Sequence, residues 1–300
     1  MADAAVIEER GVPQARLARR RFSWAWLGLV PFFLFSTAFM FIPVVFLVIG
    51  SFQDAKGAAT LKNYGDLTTS QIVTAYTNSI EVSVITAVVG GLFGFLLAYS
   101  VILGGLPRIL RNILMTFSGV ASNFAGVPLA LAFIFTVGQL GVLTALLKSL
   151  GVDPYRSGFS LYTKFGIELV YLYFQFPLMV LIIAPALDGL RRDWREAAEN
   201  MGATASQYWR HVALPILTPS ILGSIILLFG NSLGAQATAF QLTGGTIPLV
   251  TILIGAQIRG DVLHNQGLGY AMAMGLVVVM GLSIALYSVL QRRSERWLRS

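Results

Sequence analysis

The chain contains no cysteine, which excludes disulfides, zinc–thiolate sites and palmitoylation. Charge is scarce too: 12% of residues are Asp, Glu, Lys or Arg, about half the ~25% usual in soluble domains. The only histidines, His211 and His264, fall on opposite sides of the expected membrane and cannot share a metal. There is no GxxxxGK[ST] run to cradle ATP phosphates, no GxSxG and no paired-carboxylate arrangement. No catalytic machinery is visible; transport remains.

What the sequence has instead is apolar length: 56% of its 300 residues are hydrophobic and mean hydropathy is +0.73. About 20 apolar residues cross a bilayer core. Six segments qualify: Trp24–Phe52, Ser79–Leu103, Ile113–Val137, Gly166–Leu187, Ser220–Phe240 and Gly267–Leu290. The expected fold class is an all-α integral membrane protein with six transmembrane helices. The first segment is long enough to tilt or kink, and Pro31 and Pro43 mark where. It exceeds the apolar core of a secretory signal, and no small-residue cleavage site follows it, so an uncleaved span is expected.

Six spans put both termini on one side. That side collects fifteen Lys and Arg residues against six on the other, so the positive-inside rule places both termini in the cytoplasm. The net charge of +7 follows from this bias and does not call for nucleic acid. The expected organisation is an Arg-rich tail over 1–22, a membrane domain over 23–291 with a cytoplasmic loop at 188–218, and a cytoplasmic tail over 292–300. Gly138–Gly151 has helical leucine spacing but is too short to cross. Ile247–Ile258 is also too short, and reads equally as a re-entrant or interfacial helix or as an apolar loop packed on the external surface.

The loop between the fourth and fifth spans, Asp193 to Pro215, carries two helix starts. Asp193 with Glu196 reads as one capping box and Thr204 with Gln207 as a better one. Gly202 can close the first helix in the left-handed conformation. Pro215 should end the second helix, and Thr218-Pro219 should open the next span. Helix, glycine turn, helix makes a compact knob. The alternative is an amphipathic loop on the headgroups, anchored by Trp194, Tyr208 and Trp209.

Glu196-Ala197-Ala198, three residues, Gly202, nine residues, Val212, one residue, Leu214-Pro215 resembles the EAA loop of bacterial ABC-importer permeases at every spacing. Val212 stands where that family usually has Ile. The resemblance extends over roughly residues 24–290. It includes Asn63-Tyr64 and Asn78-Ser79 before the second span and the short helix between the third and fourth. It is nearest to the spermidine/putrescine branch and its phosphonate and oxyanion relatives. It implies a multi-pass plasma-membrane permease subunit whose knob (Glu196, Ala197, Ala198, Gly202, Val212, Leu214, Pro215) couples to ATPases. The implied partners are two ATP-binding subunits, a second and different permease chain, and an extracytoplasmic substrate-binding protein. ATP and Mg would sit on the ATPases, with no cofactor in this chain.

Polar residues inside spans are candidates for the solute pathway, since lipid-facing polar groups are costly. Asn123, Asn231 and Gln236 either line a pore or hydrogen-bond to a neighbouring helix at about 0.6 kcal/mol apiece. Glu81 and Glu168 are the only acids within expected spans, both near external ends. Glu168 with Tyr171 and Gln175 suits an amine, so a polyamine is the favoured cargo. Tyrosine at a span end is equally the ordinary aromatic belt. A stand-alone secondary transporter or channel is the reading from another class. It calls for inverted repeats or midplane charges, and neither stands out.

Overall fold

The computed structural model describes residues 28–54, 56–259 and 265–299. The expected 1–22 tail, the start of the first span at Trp24, and His264 lie outside the described residues.

The elements in chain order are α1 (Val30–Ser51), α2 (Lys62–Asp66), α3 (Ser70–Ile102), α4 (Arg108–Asn123), α5 (Gly126–Val137) and α6 (Val142–Ser149). Then follow α7 (Lys164–Asp188), α8 (Arg192–Asn200), α9 (Ala205–Leu233), α10 (Gln236–Thr243), α11 (Val250–Arg259) and α12 (Gln266–Arg299). Six stretches are long and apolar enough to span a bilayer: α1, α3, Gly126–Ser149 (α5 with α6), α7, α9 and Gln266–Arg292. No strand occurs among the described residues. The fold is an all-α, six-span membrane architecture.

Two helices widen where proline demands it. A π-turn at Thr37–Phe41 precedes Pro43 in α1, and another at Trp209–Ala213 precedes Pro215 in α9. A proline ring clashes with the carbonyl four residues back and removes one N–H; a wider turn accommodates both effects without breaking the helix. This corrects the expectation that Pro215 stops a helix and that Thr218-Pro219 starts one. The π-turn carries α9 from Ala205 to Leu233 with Pro219 in its interior, and the Thr218 hydroxyl donates back to the Leu214 carbonyl at 2.7 Å.

The chain forms two compact units, one ending at Phe46 and one from Leu47 onward. The second is organised around α3, α7 and α9. Glycines let α3 and α7 meet: a methyl group at Gly90 would lie 2.7 Å from the Gln175 Cβ, and one at Gly94 would lie 2.8 Å from the Phe176 carbonyl oxygen. Thr86 and Ser232 share a hydrogen bond of 2.9 Å between α3 and α9. The Gln175 amide, fully buried, donates to the Leu228 carbonyl at 2.9 Å.

Asn78 and Ser79 tie α3 to the start of α11. The Asn78 amide donates to the Pro248 carbonyl at 3.1 Å, and Ser79 Oγ accepts the Val250 N–H at 2.9 Å. From Val250 on, the 247–258 stretch is therefore a packed helix and not a loop. Its far side meets α12, where a methyl group at Gly269 would lie 2.7 Å from Ile258.

Candidate functional site

Two places in the fold concentrate polar geometry: a knob at one end of the bundle and a crevice inside it. The knob is α8 with the first turns of α9. After α8 the Gly202 N–H donates to the Glu199 carbonyl at 2.9 Å and the Ala203 N–H to the Ala198 carbonyl at 3.0 Å. That is the paired bonding of a Schellman turn, and Gly202 supplies its left-handed residue at φ +78°. Thr204 and Gln207 then form a complete capping box. Ala198, Tyr208 and Ala213 pack together as a small core, with Val212 against it.

One expectation fails here. Arg191, not Asp193, is the N-cap of α8, and no side chain caps it. Asp193 instead lies inside the first turn of α8 and pairs with Arg191 at 2.6 Å. Arg195 pairs with Glu199 at 2.8 Å, and that hydrogen-bonded carboxylate raises the guanidinium pKa above its ordinary value. Glu196 has no ion pair among the described residues. It lines a groove of about 420 Å³ with Tyr99, Arg192 and Trp209. Ala197 and Leu214 are exposed, Ala198 is buried and Pro215 is half-buried.

The crevice arises from two helix breaks that the sequence reading ran through. The expected spans Ile113–Val137 and Ser220–Phe240 are each interrupted, at Phe124-Ala125 and at Gly234-Ala235. At the first break Ala125 is extended and Gly126 is left-handed at φ +75°, so α5 restarts on a new course. At the second, Ala235 (φ −78°, ψ 55°) is the centre of an inverse γ-turn, with the Gln236 N–H donating to the Gly234 carbonyl at 2.8 Å. The breaks are joined: the Gly126 N–H donates to Thr238 Oγ1 at 2.9 Å. The buried Tyr171 hydroxyl of α7 donates to the Ala235 carbonyl.

Around this junction lie two adjoining volumes. One, of about 380 Å³, is bordered by Ser122, Phe174, Asn231 and Thr238. The other, of about 520 Å³, is bordered by Val127, Phe240, Gly255 and Arg259. Gln236 and Ala237 line both.

The pathway candidates divide accordingly. Asn231 and Gln236 border the crevice, and Tyr171 clamps its wall. Gln175 packs helices, as its bond to Leu228 shows. Asn123 is not midway along a helix but ends α4, where its amide donates to the Gly119 carbonyl at 2.9 Å. Glu168 is half-buried on α7 and borders neither volume. The nearby Glu81 is paired with Lys164 at 2.5 Å. Gly126, Gly255 and Arg259 were missed. Gly126 two residues before Pro128 was the readable signal for a helix restart.

The fold and site together are those of a multi-pass, all-helical bundle with a helix–turn–helix knob at one end. Residues 90–300 match the family described as binding-protein-dependent transport system inner membrane component, and the chain belongs to that family. It is an inner-membrane permease subunit of an ABC importer.

The chain is 24% identical over 267 residues to the probable sulfate transport system permease protein cysT of Nephroselmis olivacea, covering 88% of this chain and 87% of that protein. It is 26% identical over 263 residues to the spermidine/putrescine transport system permease protein PotB of Haemophilus influenzae, covering 83% and 87%. The fold is similar to a chain of a bacterial ABC transporter that imports the acidic polysaccharide alginate. The TM-score is 0.71 at 17% identity, over 90% of this chain and 95% of that one.

Proposed function

We propose that this permease moves a small solute inward under the control of cytoplasmic ATPases that grip the α8–α9 knob. ATP and Mg act on those partner subunits, a second permease chain completes the pathway, and an extracytoplasmic binding protein delivers the cargo. The charge bias of the loops puts the knob and both termini in the cytoplasm. One observation carries the reading: α9 runs without a break from the knob at Ala205 to Leu233, directly before the inverse γ-turn at Ala235. A push on the knob is thereby passed along one continuous helix to the crevice, the kind of two-state coupling between distant sites that allostery requires.

The test is a single cysteine at the exposed Met201 (Met201→Cys) beside the turn. A short bifunctional reagent should cross-link it to the ATPase and abolish stimulation of ATP hydrolysis by the loaded binding protein. Uptake that continues without any ATPase would replace this reading with a stand-alone carrier.

The relatives transport sulfate or spermidine/putrescine by name. The polyamine expected from Glu168, Tyr171 and Gln175 draws no support from a shared site: Glu168 borders neither volume, Tyr171 holds the Ala235 carbonyl and Gln175 bonds to Leu228.

A further inference from the structure

We propose that the crevice at the two helix breaks is the charge-selecting point of the solute pathway, and that it passes an anion, with Arg259 as the selecting group. The proposal rests on the importer reading above and names the substrate class of that pathway. Phe174, which borders the crevice, stands ten residues beyond Lys164 on α7, about 15 Å along the helix at ~1.5 Å per residue. Arg259 borders the adjoining volume, at the exposed end of α11, where a charge at the mouth of a crevice steers which solutes enter it.

Among the described residues the lining of the two volumes is one-sided, and no carboxylate borders either. Among the described residues Arg259 is the one charged side chain that does, and it forms no ion pair with another of them. A base at the last position of α11 also complements the helix dipole, which explains a cation there but not its place in the crevice wall. Gln236 adds an amide that reaches Gly255, where a methyl group would lie 2.6 Å from its Nε2. Planar guanidinium and amide donors match the oxygens of an oxyanion. Among the described residues a polyamine would meet the guanidinium with no lining acid to offset it, as Glu81 and Glu168 lie outside the lining.

The absence of native cysteine makes the local potential measurable. Ala237 lines both volumes and is exposed, so Ala237→Cys places a thiol in the crevice. In membranes holding the whole importer, the thiol should react with the anionic sulfonatoethyl methanethiosulfonate roughly tenfold faster than with its cationic trimethylammonium counterpart, after correction for their reactivity towards a free thiol. Adding Arg259→Gln should remove that preference, and Arg259→Lys should retain most of it. Equal or inverted rates, a preference indifferent to Arg259, or a thiol that neither reagent reaches each overturns the proposal. So does uptake of labelled spermidine by the unmodified importer. Co-purification of the ATPase is scored in the same membranes: its loss would sink the importer reading while the reagent ratio still reports the charge of the crevice.

Discussion

The Tyr171 hydroxyl, on α7, donates to the carbonyl of Ala235 at the centre of the γ-turn between α9 and α10. A break inside a membrane frees backbone groups that lipid cannot satisfy, and this side chain satisfies one of them from a neighbouring helix. Tyr171→Phe keeps the ring and strands the carbonyl, at a cost of about 1–3 kcal/mol. The purified complex should unfold at lower temperature, and uptake should fall more than the amount of inserted protein. Unchanged stability and uptake would show that the turn holds without its clamp.

Gly202 is a purer test of backbone conformation. A methyl group there would meet nothing within 4 Å, so substitutions act only through the left-handed geometry at φ +78°. Gly202→Val should cost roughly 1–3 kcal/mol at the turn, and Gly202→Asn less, because asparagine tolerates that region. Binding-protein-stimulated ATPase activity should rank Gly, Asn, Val, with similar insertion for all three. A valine variant that couples fully would remove the turn from the mechanism.

Much of this was legible in the sequence because it rests on local rules. Apolar runs marked the first, fourth and sixth spans closely, and Thr204-x-x-Gln207 with Gly202 marked the knob. The failures lie where a nonlocal partner decides. The breaks at Phe124 and Gly234 sit inside apolar runs and are held by Thr238 and Tyr171 from other helices. Pro215 was read as a stop, because hydropathy does not distinguish a terminated helix from one that widens to a π-turn. Asp193 was read as a cap, but the nearby Arg191 takes its carboxylate.

Two glycine substitutions should separate crevice from scaffold. At Gly255 an added methyl group meets the movable amide end of Gln236 at 2.6 Å. Gly255→Ala should therefore reorient Gln236 and alter uptake, while thermal stability stays near that of the wild type. At Gly94 the obstacle is the Phe176 carbonyl at 2.8 Å, with the Met179 Cβ at 2.6 Å. Neither can swing aside, so Gly94→Ala should push α3 from α7 and destabilise by about 1–3 kcal/mol. If Gly255→Ala proves the more destabilising of the two, α11 is a structural strut and not part of a pathway wall.

The two glutamates of the knob make the sharpest comparison. Glu199 has a partner in its own helix, Arg195 at 2.8 Å, and exposed pairs of this kind contribute little. Glu196 has none among the described residues and, as the fifth residue of α8, does not cap it. A carboxylate with no internal task beside Arg192 and Trp209 in an open groove is free to meet a base on the ATPase. Removing one member of such an interfacial pair typically costs about 2–5 kcal/mol of binding. Glu196→Gln should release the ATPase from detergent-solubilised complexes or abolish stimulated hydrolysis, and Glu199→Gln should do neither. The comparison is informative because both changes remove one charge from the same short helix and leave its shape alone. Equal small effects at both positions would mean that the ATPase does not read this face of the knob.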